Sequence, residues 1–195
     1  MIRFQYLYIP AQDTGLMRSS IHPERLSRID SLRHPSRQKE SLTAQFLLEK
    51  MMREEGIDPL SVHYAYNPNG KPLWDLPGIH FSLSHSGEYA AAVLSSTQVG
   101  TDIQIHRSVS PGVIRRICTQ KETEWLEADP AHRFTDLFAC KEAWIKCMGT
   151  GLSSMKDFEV IFAENETICS AQNVKLFIPE KPAGYSAAVC TLKNR

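Results

Sequence analysis

Asp102, Glu142 and Lys146 are the residues of this chain whose types and spacing could handle a phosphorylated substrate with the help of a metal ion. In VGTDIQI at 99–105, a strand would put Asp102 and Gln104 on one face, because successive side chains alternate. Gly100 just before them permits close approach of another backbone or of a ligand. By itself an aspartate near a strand end is more often a turn or cap residue. Glu142 and Lys146 are four apart and share a helical face with Phe138 and Ile145. On an outer face such a pair is a solvated salt bridge worth only about 0.3–0.5 kcal/mol. Beside apolar neighbours, a carboxylate needs a cation or hydrogen bonds to offset its burial. Asp102 and Glu142 are hard oxygen ligands of the kind magnesium takes one or two at a time, completing its shell with water and phosphate oxygens, and Lys146 would balance phosphate charge.

Two further stretches bear on a phosphate. In Asn69-Gly70-Lys71-Pro72, Asn-Gly signals a tight turn and is expected to present Lys71 at a rim. FSLSHSG at 81–87 runs from a strand into a small-residue loop where donors could meet an anion. Ser84 and His85 are adjacent in that strand and face opposite ways, so they do not readily form a nucleophile and its base; a histidine such as His85, taken alone, is more often structural than functional.

Composition excludes several classes. With 42% apolar and 23% charged residues the chain is an ordinary globular one. Its 22 basic and 22 acidic residues leave no global field for nucleic acid. Basic residues do gather between Arg18 and Lys39, either as a solvated helix face or as a surface for phosphates or an acidic protein. Five cysteines without a C-x-x-C pair read as reduced core residues. The opening MIRFQYLYIP alternates like a strand and is neither a signal peptide nor a membrane span, so a cytoplasmic protein without a membrane partner is expected.

The elements that must position these residues come in two sets. Tyr89-Ala-Ala-Ala-Val93 and Tyr185-Ser-Ala-Ala-Val189 agree at four of five positions, 96 residues apart. The same offset lays the strand-like 4–8 on 100–104, the helix-like 37–53 on 133–149, 62–66 on 158–162, and Phe81 on Phe177. Each half then reads strand, helical segment, long helix, strand and hairpin, with antiparallel pairing. The long helices run through Leu42, Phe46, Leu47 and Met51, ended by Gly56, and through Phe134, Phe138, Ile145 and Met148, ended by Gly149. The fold class is therefore α+β: two similar pseudo-symmetric halves, residues 1–97 and 98–195, each a long helix on a mainly antiparallel sheet.

GKP at 70–72, FSLSHS at 81–86, VGTDIQ at 99–104 and FACKEAWIK at 138–146, in this order and spacing, resemble the 4′-phosphopantetheinyl transferases of the surfactin-synthetase type. The resemblance extends from His22-Pro-Glu-Arg25 to Gly149-Thr-Gly-Leu-Ser153. It implies transfer of the phosphopantetheine arm of coenzyme A to a serine of an apo acyl or peptidyl carrier protein, releasing adenosine 3′,5′-bisphosphate, at a site between the halves. It implies magnesium ligation by Asp102 and Glu142, with Gln104 a third candidate, and a pyrophosphate contact for Lys146. Arg25, Arg28, Lys71, Ser84 and His85 fall at coenzyme A-binding positions of the first half, and Glu122 at an acidic position near the metal. Glu142 is also the candidate acceptor of the serine proton. The resemblance further makes 18–39 a candidate carrier dock, and a site completed within one chain suggests a monomer.

Three departures stand out. Gln104 replaces a usual glutamate, which predicts weaker magnesium affinity; Phe138 replaces a tryptophan; and Glu40 stands where an arginine would meet the nucleotide 3′-phosphate, leaving Arg37 or Lys39 for that contact. Gln104 motivates the alternative of a non-catalytic coenzyme A-binding relative. An ATP-dependent phosphotransferase is disfavoured because the chain has no G-x-x-x-x-G-K-[ST] loop.

Overall fold

The computed structural model describes residues 1–163, 167–171 and 173–193. The first half runs β1 (Ile2–Tyr8), α1 (Thr14–Ser20), α2 (Pro23–Asp30), α3 (Pro35–Glu54), β2 (Tyr64–Tyr66), β3 (Pro72–Trp74), β4 (His80–Ser86) and β5 (Tyr89–Ser95). The second runs β6 (Val99–Ile105), α4 (Pro111–Ile117), α5 (Gln120–Leu126), α6 (Pro130–Met148), β7 (Val160–Phe162), β8 (Thr167–Cys169), β9 (Val174–Phe177) and β10 (Tyr185–Leu192). Both long helices start on a proline, where the missing N–H costs nothing. The second stops at Gly149, left-handed at φ 72°, whose amide bonds to the Ile145 carbonyl.

All strand pairs are antiparallel. The three-stranded order β1-β5-β4 recurs as β6-β10-β9 in the five-stranded sheet, so the α+β fold with two similar halves is what forms. The pairing register refines the repeat. Tyr8 lies opposite Tyr89 and Ile105 opposite Tyr185. Aligning Tyr89 with Tyr185 therefore lays 4–8 on 101–105, one residue beyond the uniform offset. Likewise Phe81, opposite Leu94, falls on Leu176, opposite Cys190, and not on Phe177. A one-residue slip reverses which face a strand presents, so a single offset could not hold for every element.

The repeated Tyr-x-Ala-Ala-Val motif is small because its strands are covered on both faces. Ala92 and Leu94 of β5 pack on Leu47, Leu48 and Met51 of α3, whereas Ala91 meets Ile103 and Ala187, and Val93 meets Val99 and Val189, across the middle of the molecule. In β10, Ala188 and Cys190 pack on Leu137, Cys140 and Ala143 of α6. Each central strand thus has its own helix on one side and the opposite half on the other.

A second device joins the halves. Strand β6 ends its sheet, and its outward amides find side chains instead of a backbone partner. Ser82, Ser84 and Ser86, on alternate positions of β4, accept from the amides of Thr101, Ile103 and Ile105 at 3.1, 3.2 and 3.1 Å. On its other face β6 takes α6 at very short range. A Cβ added at Gly100 would lie 2.1 Å from the Ala143 carbonyl oxygen and 2.3 Å from the Cys147 nitrogen. Gly100 is therefore where a backbone approaches, one of the two alternatives its sequence position left open. Replacing Gly100 with Ala is expected to lower stability by about 3 kcal/mol or more, since both obstructing atoms are helix backbone. A denaturant midpoint unchanged from wild type would contradict that contact.

Candidate active site

A cleft of about 880 Å³ opens between the halves. Asp102 and Gln104 of β6 and Phe138, Glu142 and Lys146 of α6 line one wall; Arg25 and Arg28 of α2, Arg37 and Glu40 of α3, and Ser84 and His85 of β4 line the other. Of the ten residues assigned to the site from the sequence, eight converge here, the exceptions being Lys71 and Glu122.

Asp102, 2% exposed, is the hub. Its Oδ1 accepts from Lys146 Nζ and from Ser84 Oγ, both at 2.6 Å, and its Oδ2 from Gln104 Nε2 at 2.9 Å. Ser84 thereby uses its proton on Asp102 and a lone pair on the Ile103 amide. Gln104 presents its nitrogen to the carboxylate and its oxygen to Ser86 Oγ at 3.3 Å. The reverse amide orientation would set oxygen against carboxylate. Glu142 is half-buried and has no hydrogen bond or ion pair among the described residues. Burial, and then the charge of Asp102, hold its carboxyl above the usual range, although Lys146 pulls the other way. The one nearby ammonium is thus paired with Asp102 and acts on Glu142 only through its field. Among the described residues no cluster of three His, Cys, Asp or Glu could hold a metal ion.

His85 faces away from Ser84, as strand alternation requires, with Nδ1 3.0 Å from Glu40 Oε2 but out of line for a hydrogen bond. Burial lowers its pKa, although the Glu40 carboxylate pulls the other way. Glu40 also pairs with Arg37 at 3.0 Å; Arg37 lines the cleft and Lys39 does not. Arg25 is 7% exposed. It donates to Gln45 Oε1 at 2.8 Å and to Tyr66 Oη at 2.5 Å, and has no ion-pair partner among the described residues. Arg28 lies 5.5 Å from the centre of the Tyr66 ring. Arg18 is taken up by Asp30 at 2.7 Å, so much of the basic 18–39 segment is committed to ion pairs or to the cleft.

Lys71 and Glu122 are placed otherwise than the sequence suggested. The Asn67–Lys71 turn does form, with Gly70 at φ 81°, but Lys71 is a strut, not a rim residue. Its ammonium donates to the Val99 and Lys146 carbonyls, tying the first half to β6 and α6 beside an adjoining cavity of about 540 Å³. Glu122 lies on the far side of α6, 2% exposed. It closes a capping box with Thr119, accepts from the Val160 amide and pairs with the fully buried Lys141 at 2.9 Å. Lys141 and Glu142 are neighbours on a helix and point to different networks, which spacing to one acidic motif could not reveal. Sequence reasoning missed Arg107 and Tyr66, which also line the cleft; a lone arginine after a strand and a tyrosine in a short hairpin carry no pattern.

An oxygen-rich acidic wall with one ammonium, facing arginines, is suited to a ligand with separated anionic groups. Residues 98–190 match the family model of the 4′-phosphopantetheinyl transferase superfamily. The 4′-phosphopantetheinyl transferase psf-1 of Bacillus pumilus is 29% identical over 172 residues, 80% of this chain and 72% of its own. The 4′-phosphopantetheinyl transferase Sfp of Bacillus subtilis (strain 168) is 28% identical over 186 residues, 88% and 82% respectively. A solved holo-[acyl-carrier-protein] synthase of Thermotoga maritima overlaps 51% of this chain and 64% of its own at 20% identity and a TM-score of 0.43, a likeness too loose to carry weight. The chain is thus similar to 4′-phosphopantetheinyl transferases, over most of its length in these relatives and over its second half in the family model.

Burial lowers Lys71 from 10.5 to about 8. Between those values the unfolded chain holds a proton that the folded chain has released, so this group makes stability rise with pH across the window. A neutral amine still has two N–H groups for its two carbonyls. The stability difference between wild type and Lys71→Met is therefore expected to grow from pH 8 to 10.5 in denaturant titrations. A difference independent of pH would contradict the burial of this ammonium.

Proposed function

We propose that the chain transfers the 4′-phosphopantetheine group of coenzyme A to a serine of an apo acyl or peptidyl carrier protein, releasing adenosine 3′,5′-bisphosphate. The observation that carries this reading is the convergence of Asp102, Glu142 and Lys146 on one wall of a cleft whose other wall presents Arg25 and Arg28. The first half is assigned to the nucleotide and the second to the reacting pyrophosphate.

The donor set suits a magnesium ion: Asp102 and Glu142 offer only oxygens, and Glu142 has no other partner among the described residues. Bound there, magnesium would supply charge stabilisation to the pyrophosphate oxygens. We assign its ligation to Asp102 and Glu142, and give Gln104 the task of orienting Asp102, because its oxygen is engaged by Ser86. Ser84 orients the same carboxylate. Glu142, with its raised pKa, takes the proton of the attacking serine hydroxyl as the new O–P bond forms. Lys146 neutralises charge on the pyrophosphate as the bond to the nucleotide phosphate breaks. Arg25 and Arg28, with His85 beside them, hold the nucleotide end, and Lys71 fixes the backbone that carries Lys146.

No described helix is long and apolar enough to cross a membrane. All five cysteines are free thiols, and both walls belong to one chain; these support a cytoplasmic monomer. The non-catalytic alternative rested on Gln104, which the hydrogen bond to Asp102 accommodates in an active site.

Incubation with apo carrier protein, coenzyme A and magnesium should add a phosphopantetheine mass to the carrier. No adduct across several carriers would sink this reading. Glu142→Gln should lower turnover at saturating magnesium by about a hundredfold or more; near-normal turnover would remove both roles assigned to Glu142.

A further inference from the structure

Behind Arg25 lies a buried polar network that the transfer chemistry does not use. Gln45, fully buried on α3, accepts from Arg25 Nε at 2.8 Å and donates through Nε2 to Glu49 Oε1 at 2.9 Å and to Tyr64 Oη at 2.8 Å. Its amide has one possible orientation. A guanidinium only donates and a carboxylate only accepts, so a flipped amide would lose both bonds. Glu49, also fully buried, is satisfied elsewhere as well: Oε1 accepts from the His22 amide at 3.0 Å, and Oε2 lies 3.4 Å from Arg53 Nη2. The negative charge beneath α2 is therefore matched by Arg53, while the acceptor that reaches Arg25 is neutral.

We infer that Gln45 is a specificity-determining positioning residue: it fixes the Arg25 guanidinium at the cleft while leaving its positive charge uncompensated for the ribose phosphate of the nucleotide. This rests on the coenzyme A reading above. Coenzyme A carries two separate anionic groups. Its pyrophosphate belongs at Glu142 and Lys146, where the bond breaks, so the isolated monophosphate is the group left for the opposite wall. Arg28 and Arg107 are exposed and screened by water. Arg25 is desolvated and clamped from below by Gln45 and from the side by Tyr66, so its charge acts at short range and in one direction. A carboxylate at position 45 would satisfy the same guanidinium nitrogen and cancel the charge the cleft presents.

The test compares binding of adenosine 3′,5′-bisphosphate and adenosine 5′-monophosphate by calorimetry in wild type, Gln45→Glu and Gln45→Met, each checked for native circular dichroism. Gln45→Glu should weaken the bisphosphate by about tenfold or more and leave the monophosphate within about twofold, the worth of one hydrogen-bonded charge. Gln45→Met, which keeps the charge but removes the acceptor, should lose less and again only for the bisphosphate. Should Gln45→Glu not fold, Gln45→Met alone decides. An unchanged ratio of the two affinities in whichever variants fold, or an equal loss for both nucleotides, overturns the inference. A wild-type protein that modifies no carrier yet shows the selective loss would leave Gln45 in this role and remove the transfer reading instead.

Discussion

An open strand edge is what the two halves must close. Strand β6 has β10 on one side only. Its remaining amides are met by three hydroxyls of β4, one every second residue on both strands. A hydroxyl accepts from an amide and still has a proton to give. Ser84 gives it to Asp102 and Ser86 to Gln104. The contact that joins the halves therefore also aims the acidic wall of the cleft, and a backbone partner in the place of β4 would have had no such protons to offer.

The buried polar residues around the cleft divide into supports that neutralise charge and supports that leave it exposed. On the far side of α6, Glu122 and Lys141 cancel each other in a fully hydrogen-bonded pair, which fixes the helix without adding a field. On the cleft side, Asp102 and Glu142 exceed the one ammonium between them, and across the cleft Arg25 rests on a neutral amide. The result is an excess of negative charge on one wall and of positive charge on the other. That arrangement is costly in an empty cleft and favourable once a cation and a multiply phosphorylated ligand enter it.

The halves, the two long helices and their glycine stops, the hairpins and the convergence of Asp102, Glu142 and Lys146 were legible in the sequence, because periodicity and short motifs encode them. What was not legible depends on register and depth. A uniform repeat offset misplaced β1 and β4 by one residue each, since loops of unequal length separate the elements. Lys71 looked like a rim residue because its turn signal was correct, but a turn signal says nothing about what packs over it. Glu122 matched an acidic position by order along the chain, whereas helix direction sends it to Lys141. Gln45 and Glu49 lie within a helix whose polar residues would ordinarily face water, and only burial distinguishes them.

Residue-resolved amide hydrogen exchange on β6 tests the joint most directly. The Thr101, Ile103 and Ile105 amides should be protected in the intact protein, with Ser84→Ala raising exchange chiefly at Ile103. Exchange at Ile103 as fast as in an unstructured chain, or protection there that survives Ser84→Ala undiminished, would contradict the account.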